Sequence, residues 1–245
     1  MMPSASDTRL IAMLIDGDNA QPSLLEHVLA ETAKYGVVTT RRIYGDWTQQ
    51  QMGGWKEALH VHAIQPVQQF RYTVGKNATD SALIIDAMDL LHSGLVSGFC
   101  IVSSDSDYTR LATRIREQGL FVMGVGRQDT PTAFVNACEV FVYTENLLPK
   151  ANAKPAPQAT SESSGWPQTL AQAIEMTAQE DGWAFLGAVG SYVRQLDPAF
   201  DPRTFGHRQL SLLVKSRPDL FETRESKSKS GPSTVFVRPA GARPA

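Results

Sequence analysis

Phe99-Cys100-Ile101-Val102 is an apolar run of strand length. With no turn residue between, it passes into Ser103-Ser104-Asp105-Ser106-Asp107-Tyr108 and then into the helical spacing of Leu111 and Ile115. That order reads as a buried strand ending in acid and feeding a helix. In a parallel α/β sheet the carboxyl ends of the strands border the crevice where ligands bind, so Asp105 and Asp107 are expected at its mouth. Helix capping by Ser or Asp accounts for one of these acids. It does not account for two, together with a second acidic strand end elsewhere in the chain.

That second end comes first in the sequence. Residues 9–15 form a largely apolar run that stops at Asp16-Gly17-Asp18-Asn19. Pro22 then opens a helix carried by Leu24, Leu25, Val28 and Leu29. Residues 37–44 are β-branched and read as a second strand, ended by Gly45-Asp46. A short helix over 55–59 leads to a third expected strand over 61–64, closed by Pro66, along which His60 and His62 alternate. Residues 68–77 show no periodicity and read as a surface loop.

Asp80, Leu83, Ile84, Ala87, Met88 and Leu91 then share one helical face, which puts Asp80 inward at the start of a helix. Asp86 and Asp89 fall off that stripe and are expected in solvent. After the strand that ends in Asp105 follow a helix through Arg110, Arg114 and Arg116, a strand over 120–125, a short helix after Pro131 and a last strand over 139–144. The alternation predicts a doubly wound parallel sheet of five or six strands over residues 1–148.

From 149 to 165 the composition shifts to Ala, Pro, Ser, Lys and Gln, a linker with a reach on the order of 20 to 30 Å. Within residues 166–245, Leu170, Ile174 and Thr177 mark one helix, residues 185–193 a second and residues 203–215 a third. Strands over 220–223 and 234–237 bracket a Ser/Lys/Gly-rich loop. Three helices and a hairpin make a small α+β winged-helix domain.

Charge follows the same division. Residues 1–148 carry 11 Lys and Arg against 16 Asp and Glu, a net −5, and the remainder carries 12 against 9, a net +3. A mildly basic module beside an acidic one suits binding next to metal-dependent chemistry. The two cysteines, Cys100 in a strand and Cys138 at a helix end, suit buried reduced thiols rather than a disulfide framework. No secretory leader and no apolar span of membrane length is read, so a cytoplasmic protein with no membrane partner is expected.

Three termini on one edge of the expected sheet thus carry carboxylates: Asp16 with Asp18, Asp80, and Asp105 with Asp107. Acids converging within about 4 to 6 Å repel one another unless a cation neutralises them. Mg²⁺ and Mn²⁺ favour all-oxygen sites and keep waters for attack on phosphorus, which points to metal-assisted phosphodiester hydrolysis. Upstream of Asp80, Lys76 and Arg71 suit phosphate contacts and Tyr72 suits base stacking. Arg42, beside Arg41, precedes Tyr44-Gly45-Asp46-Trp47 and adds a cation at a strand end. Gly124-Val125-Gly126-Arg127 lacks a phosphate-loop ending and reads as a tight turn. No Ser/His or Cys/His nucleophilic pair and no zinc spacing is found.

These residues resemble a known family. Asp16-Gly17-Asp18-Asn19, Lys76-Asn77-Ala78-Thr79-Asp80 and Ser103-Ser104-Asp105-Ser106-Asp107-Tyr108 are similar to the three acidic motifs of NYN domains, relatives of PIN-domain ribonucleases. The resemblance implies a PIN-like fold. It also implies that Asp16, Asp80, Asp105 and Asp107 bind one or two Mg²⁺ or Mn²⁺ ions and cleave RNA, with Asp18, Asn19 and Ser104 in support.

Trp183, Phe185, Val189, Pro198-Ala199-Phe200, Phe205-Gly206, residues 210–214 and Phe221 resemble an OST-HTH/LOTUS domain, a winged helix that binds RNA or a protein partner. Arg203, His207, Arg208, Lys215, Lys227 and Lys229 are its candidate phosphate contacts. Two other readings stand beside the nuclease. One is an inactive RNA-binding adaptor. The other is a phosphatase of the haloacid dehalogenase type, because Asp16-Gly17-Asp18 mimics its nucleophile and acid; no cap domain is visible. A two-component receiver is excluded, since Gln65-Pro66 stands where its phosphoacceptor would end the third strand.

Overall fold

The computed structural model describes residues 8–70, 78–148, 165–226 and 234–241, and the chain divides into two compact units at residues 149 and 150. The first unit alternates strand and helix. Its elements are β1 (Leu10–Asp16), α1 (Leu25–Thr32), β2 (Val37–Gly45), α2 (Lys56–Val61), β3 (Gln65–Gln68), α3 (Ala78–Ser93), β4 (Gly98–Val102), α4 (Thr109–Glu117), β5 (Phe121–Gly126), α5 (Thr132–Ala137) and β6 (Val140–Tyr143).

All neighbouring strands are parallel, in the order β3-β2-β1-β4-β5-β6. The winding runs outward from β1 in one direction and from β4 in the other. The point where it reverses therefore lies between these two adjacent strands, and the crevice outside their carboxyl ends is where such sheets bind ligands. Every residue of β4 and β5 is buried, as expected of strands covered on both faces. Ile11, Met13 and Ile15 of β1 pack with Cys100 and Val102 of β4 and with Leu25 and Val28 of α1.

The third strand departs from expectation. Residues 61–64 end α2 and turn at Ala63, whose φ is +50°, and the strand is Gln65–Gln68 with Pro66 inside it. β3 is the edge of the sheet, where a proline's missing N–H removes no ladder bond the strand needs. His60 consequently lies in α2 and His62 at its end, not on alternating faces of a strand.

Asp86 is not a free surface charge either. It accepts the Tyr44 hydroxyl at 2.6 Å and pairs with Arg42 Nη1 at 2.8 Å, tying α3 to β2. Asp89 is exposed, as its place off the stripe predicts.

The second unit contains α6 (Trp166–Thr177), β7 (Ala184–Phe185), α7 (Leu186–Leu196), α8 (Leu210–Lys215), β8 (Phe221–Ser226) and β9 (Thr234–Pro239). Its antiparallel sheet has the order β7-β9-β8. Leu170, Ile174, Val189, Val193, Leu213, Val214, Phe221 and Val237 form its core.

The expected continuous third helix is broken. A short turn over Pro202–Phe205, capped by Asp201, ends at Gly206 with φ +83°, and α8 begins only at Leu210. A left-handed residue stops a helix, and glycine adopts that conformation without steric cost. Phe185, expected to open a helix, sits in the strand before it. Among the described residues, no helix is long and apolar enough to cross a membrane.

Candidate active site

β1 ends in Asp16, whose side chain is fully buried and takes three hydrogen bonds. Oδ1 accepts the Asp18 N–H at 3.1 Å, and Oδ2 accepts Asn19 Nδ2 at 2.6 Å and Ser103 Oγ at 2.8 Å. Gly17 donates its N–H to the Tyr44 carbonyl, and a Cβ there would meet that oxygen at 2.7 Å, so the turn after Asp16 needs a glycine. Asp18 is exposed and accepts Thr79 Oγ1 at 3.3 Å and Gln51 Nε2 at 3.2 Å, which ties the first turn to the start of α3.

The second acidic segment lies at the end of β4. Asp105 caps the turn Ser106–Tyr108, its Oδ1 accepting the Asp107 N–H at 2.9 Å, and its own N–H donates to Ser103 Oγ at 3.1 Å. Ser103 therefore bridges the ends of β1 and β4, donating to Asp16 and accepting from Asp105. Ser104, the serine expected in support, points elsewhere: its Oγ accepts the Arg127 N–H at 2.9 Å and fastens the loop after β5. Gly126 completes that fastening, because a Cβ there would meet the Ser103 carbonyl at 2.6 Å. The Gly124-Val125-Gly126 run thus serves close packing between strand ends and is no phosphate cradle.

Asp80, at the start of α3, accepts the hydroxyl of buried Tyr108 at 2.7 Å. One carboxylate oxygen from each of Asp80, Asp105 and Asp107 lies within 4.8 Å of the others. Repulsion between two such charges amounts to between about 1 kcal/mol in water and about 3 kcal/mol at an effective dielectric of about 20. Partial burial raises the pKa of Asp80, and the charges of Asp16, Asp105 and Asp107 raise it further, against the hydrogen bond from Tyr108. Burial likewise raises that of Asp16, offset in part by its three donors.

Asp46, at the end of β2, is the useful contrast. Donors from Thr48, Gln68 and Gln49 converge on it and hold its carboxyl well below the usual range, as for a satisfied structural acid.

The donor set fits a hard divalent cation. Oxygens on opposite sides of one Mg²⁺ or Ca²⁺ lie roughly 4 to 5 Å apart, and carboxylates are the ligands such ions prefer. Of the four acids expected to bind metal, Asp80, Asp105 and Asp107 come together, while Asp16 stands beside them on its own hydrogen bonds. That bonding also leaves Asp16 poorly suited to act as the exposed nucleophile of a phosphatase.

Ser103 and Tyr108 bound the third acidic motif, and the fold makes both of them supports of the site. Tyr108 shares the inward stripe of Leu111, Ala112 and Ile115, where a buried tyrosine hydroxyl needs a partner; that requirement was the readable signal.

The expected nucleic-acid contacts Arg71, Tyr72 and Lys76 lie outside the described residues, as do Lys227 and Lys229. Arg42 is half-buried against Asp86. In the second unit Arg203 is gripped by Asp201, with Nε to Oδ2 at 2.8 Å, and Lys215 pairs with Glu225 at 2.6 Å. His207 is half-buried and Arg208 exposed, in the loop between Gly206 and α8.

The family model for the NYN domain matches residues 10–147, and that for the OST-HTH/LOTUS domain matches residues 162–232, in that order. No curated relative matches the chain. Among similar solved structures, a protein of unknown function from Vibrio parahaemolyticus shares 16% identity at a TM-score of 0.47, over 58% of this chain and 96% of that one. An uncharacterized protein from Nitrosomonas europaea shares 31% identity at a TM-score of 0.30, over 39% of this chain and 95% of that one. A protein from Chromobacterium violaceum shares 37% identity at a TM-score of 0.28, over 34% of this chain and 88% of that one.

Proposed function

The chain belongs to the NYN family through residues 10–147, and on that premise we propose that it is a metal-dependent endoribonuclease whose second unit holds the RNA. The observation that carries this reading is the gathering of Asp80, Asp105 and Asp107 where the strand order reverses. NYN domains are PIN-like nucleases and OST-HTH domains bind RNA, so both matched segments agree on one substrate class.

Asp80, Asp105 and Asp107 would hold one or two Mg²⁺ or Mn²⁺ ions, with Asp16 adding a fourth negative charge beside them. When bound, such an ion polarises the phosphate and lowers the pKa of a coordinated water. The protein's part is to hold the acids in place. Ser103 and Asn19 fix Asp16, Tyr108 fixes Asp80, and the Asp107 N–H fixes Asp105. Preorganised carboxylates of this kind need little rearrangement as the reaction proceeds.

Arg71, Tyr72 and Lys76 precede Asp80 in sequence and are assigned to phosphate and base contacts near the cut. Arg203, His207, Arg208 and Lys215 are assigned to phosphates in the second unit, and Arg42 of the first unit acts through its hold on α3. Buried Cys100, its thiol pushed up to about 12 by burial, and buried Cys138 are both free, which supports a cytoplasmic, reducing location.

The test is cutting of single-stranded RNA by the full chain with Mn²⁺ or Mg²⁺, against the same protein carrying Asp105→Asn. Internal cutting by the first and none by the second is expected, with RNA retained by both. Equal cutting by the two would refute the site. Mn²⁺ binding with no cutting of any RNA would make the chain an adaptor instead.

A further inference from the structure

The outer face of the three-stranded sheet in the second unit carries a ladder of rings and cations that the acidic site does not use. Trp183 and Phe185 flank buried Ala184, and Phe236 and Arg238 flank buried Val237, so the alternation of a strand turns these four side chains away from the core. Across the sheet Phe236 stands opposite both Phe185 and Arg224, and Arg238 stands opposite Glu222.

The contacts run on without a gap. Arg238 Cζ lies 4.6 Å from the Trp183 ring centroid and Arg224 Cζ 4.7 Å from it. Arg224 also lies 5.4 Å from the Phe236 ring, and Phe236 and Phe185 are 6.2 Å apart. Cation–π contacts of this kind hold the side chains in one arrangement.

The acids on the face meet the guanidinium edges. Asp181 accepts Arg224 Nη2 at 3.2 Å, and Glu222 accepts Nε and Nη2 of Arg238 at 2.8 and 2.6 Å. Guanidinium N–H groups lie in the plane, so these bonds leave the flat faces to rings. Phe185 nevertheless remains 45% exposed, on a sheet whose other face already supplies the core. An exposed Phe185 beside half-buried Trp183 and Phe236, on the face turned away from the core, is a candidate binding surface.

We propose that this face is a stacking platform for single-stranded RNA, its bases lying on Phe185 and Phe236. This rests on the reading that the chain acts on RNA, and it adds base stacking on the sheet to the phosphate contacts assigned to Arg208 and Lys215. Bases stack on aromatic rings and on guanidinium planes alike, with little regard to sequence. The two cations are already neutralised by Asp181 and Glu222, so the attraction is mainly stacking. A duplex, whose bases are already stacked on one another, has nothing to offer such a surface.

The test uses the full chain carrying Asp105→Asn, so that no RNA is cut, and a short unstructured single-stranded RNA followed by fluorescence anisotropy. Phe185→Leu and Phe236→Leu keep apolar bulk but remove the π face, and each is expected to weaken binding about tenfold. Phe185→Tyr and Phe236→Tyr should bind like the parent, which separates stacking from a folding defect. The duplex of the same sequence should bind more weakly than the single strand.

Unchanged RNA affinity in both leucine variants overturns the proposal and leaves the face to a polypeptide partner. Absence of RNA binding by the parent overturns it as well. Cutting by the wild-type chain is scored separately, so a protein that binds through these rings yet cuts nothing keeps the platform and loses the nuclease.

Discussion

The two units treat charge in opposite ways. At the crest of the first, Asp80, Asp105 and Asp107 converge, and partial burial together with the neighbouring carboxylates pushes Asp80 toward protonation. On the sheet face of the second, Arg224 and Arg238 both lie against the Trp183 ring and meet Asp181 and Glu222 at their edges. Converging carboxylates are the ligands a hard cation prefers, whereas a surface already neutral in itself offers shape and stacking instead. That contrast underlies the proposed division of labour, with chemistry in one unit and the holding of RNA in the other.

The largest effect should come from the crest. Asp105→Asn should lower RNA cutting by roughly 10³-fold, a loss of about 4 kcal/mol of transition-state stabilisation, and leave RNA affinity as it was. Asparagine still caps the turn that Asp105 caps, so the fold should hold. A matching loss of affinity in that variant would break the division of labour.

Next in size, the loss of RNA affinity in Phe236→Leu should be the same at low and at high salt, because stacking releases no counterions. A loss that shrinks as salt rises would show that the sheet face works through phosphate contacts after all.

Ser103→Ala removes one hydroxyl from both acidic strand ends. It should cost about 1 to 3 kcal/mol of stability, read by chemical denaturation, because buried Asp16 loses a donor and the Asp105 N–H its acceptor. RNA affinity should not change.

The smallest effect concerns the metal-free protein. The pKa of Asp80 is raised in the folded state, so its contribution to stability is fully present below the unfolded-state value and is lost as pH rises through the folded one. Asp80→Asn should therefore melt higher than wild type at neutral pH in the presence of a chelator. The gap should close as the pH falls below the ordinary carboxylate range. A wild type that melts higher at neutral pH would mean the acids are not in conflict.

Much of this was legible in the sequence where burial on two faces leaves no choice. β1 and β4 read as apolar runs stopped by acids because both are enclosed strands, and α3 read correctly because its stripe repeats over four turns. The edge strand Gln65–Gln68 did not, since an edge tolerates the proline and amides that deny a strand elsewhere. The third helix of the second unit was read through Gly206, because a single left-handed residue leaves the apolar spacing around it intact.

The carboxylate positions were readable, but their supports were not. Tyr44 meeting Asp86, Tyr108 meeting Asp80 and Ser103 joining two strand ends depend on which side chains the tertiary fold brings together. The ladder on the sheet face is hidden for the same reason. Phe185, Arg224, Phe236 and Arg238 come from three strands and Trp183 from the residue before β7, and only the cross-strand register makes them neighbours.

The central proposal, that Asp80 and Asp105 help to form a cation site at the crest, is tested most directly by calorimetric titration of Mn²⁺ into the full chain without RNA. Wild type should take up the ion, and a protein carrying Asp80→Asn together with Asp105→Asn should not. Identical uptake by both proteins, or none by wild type, would contradict the account.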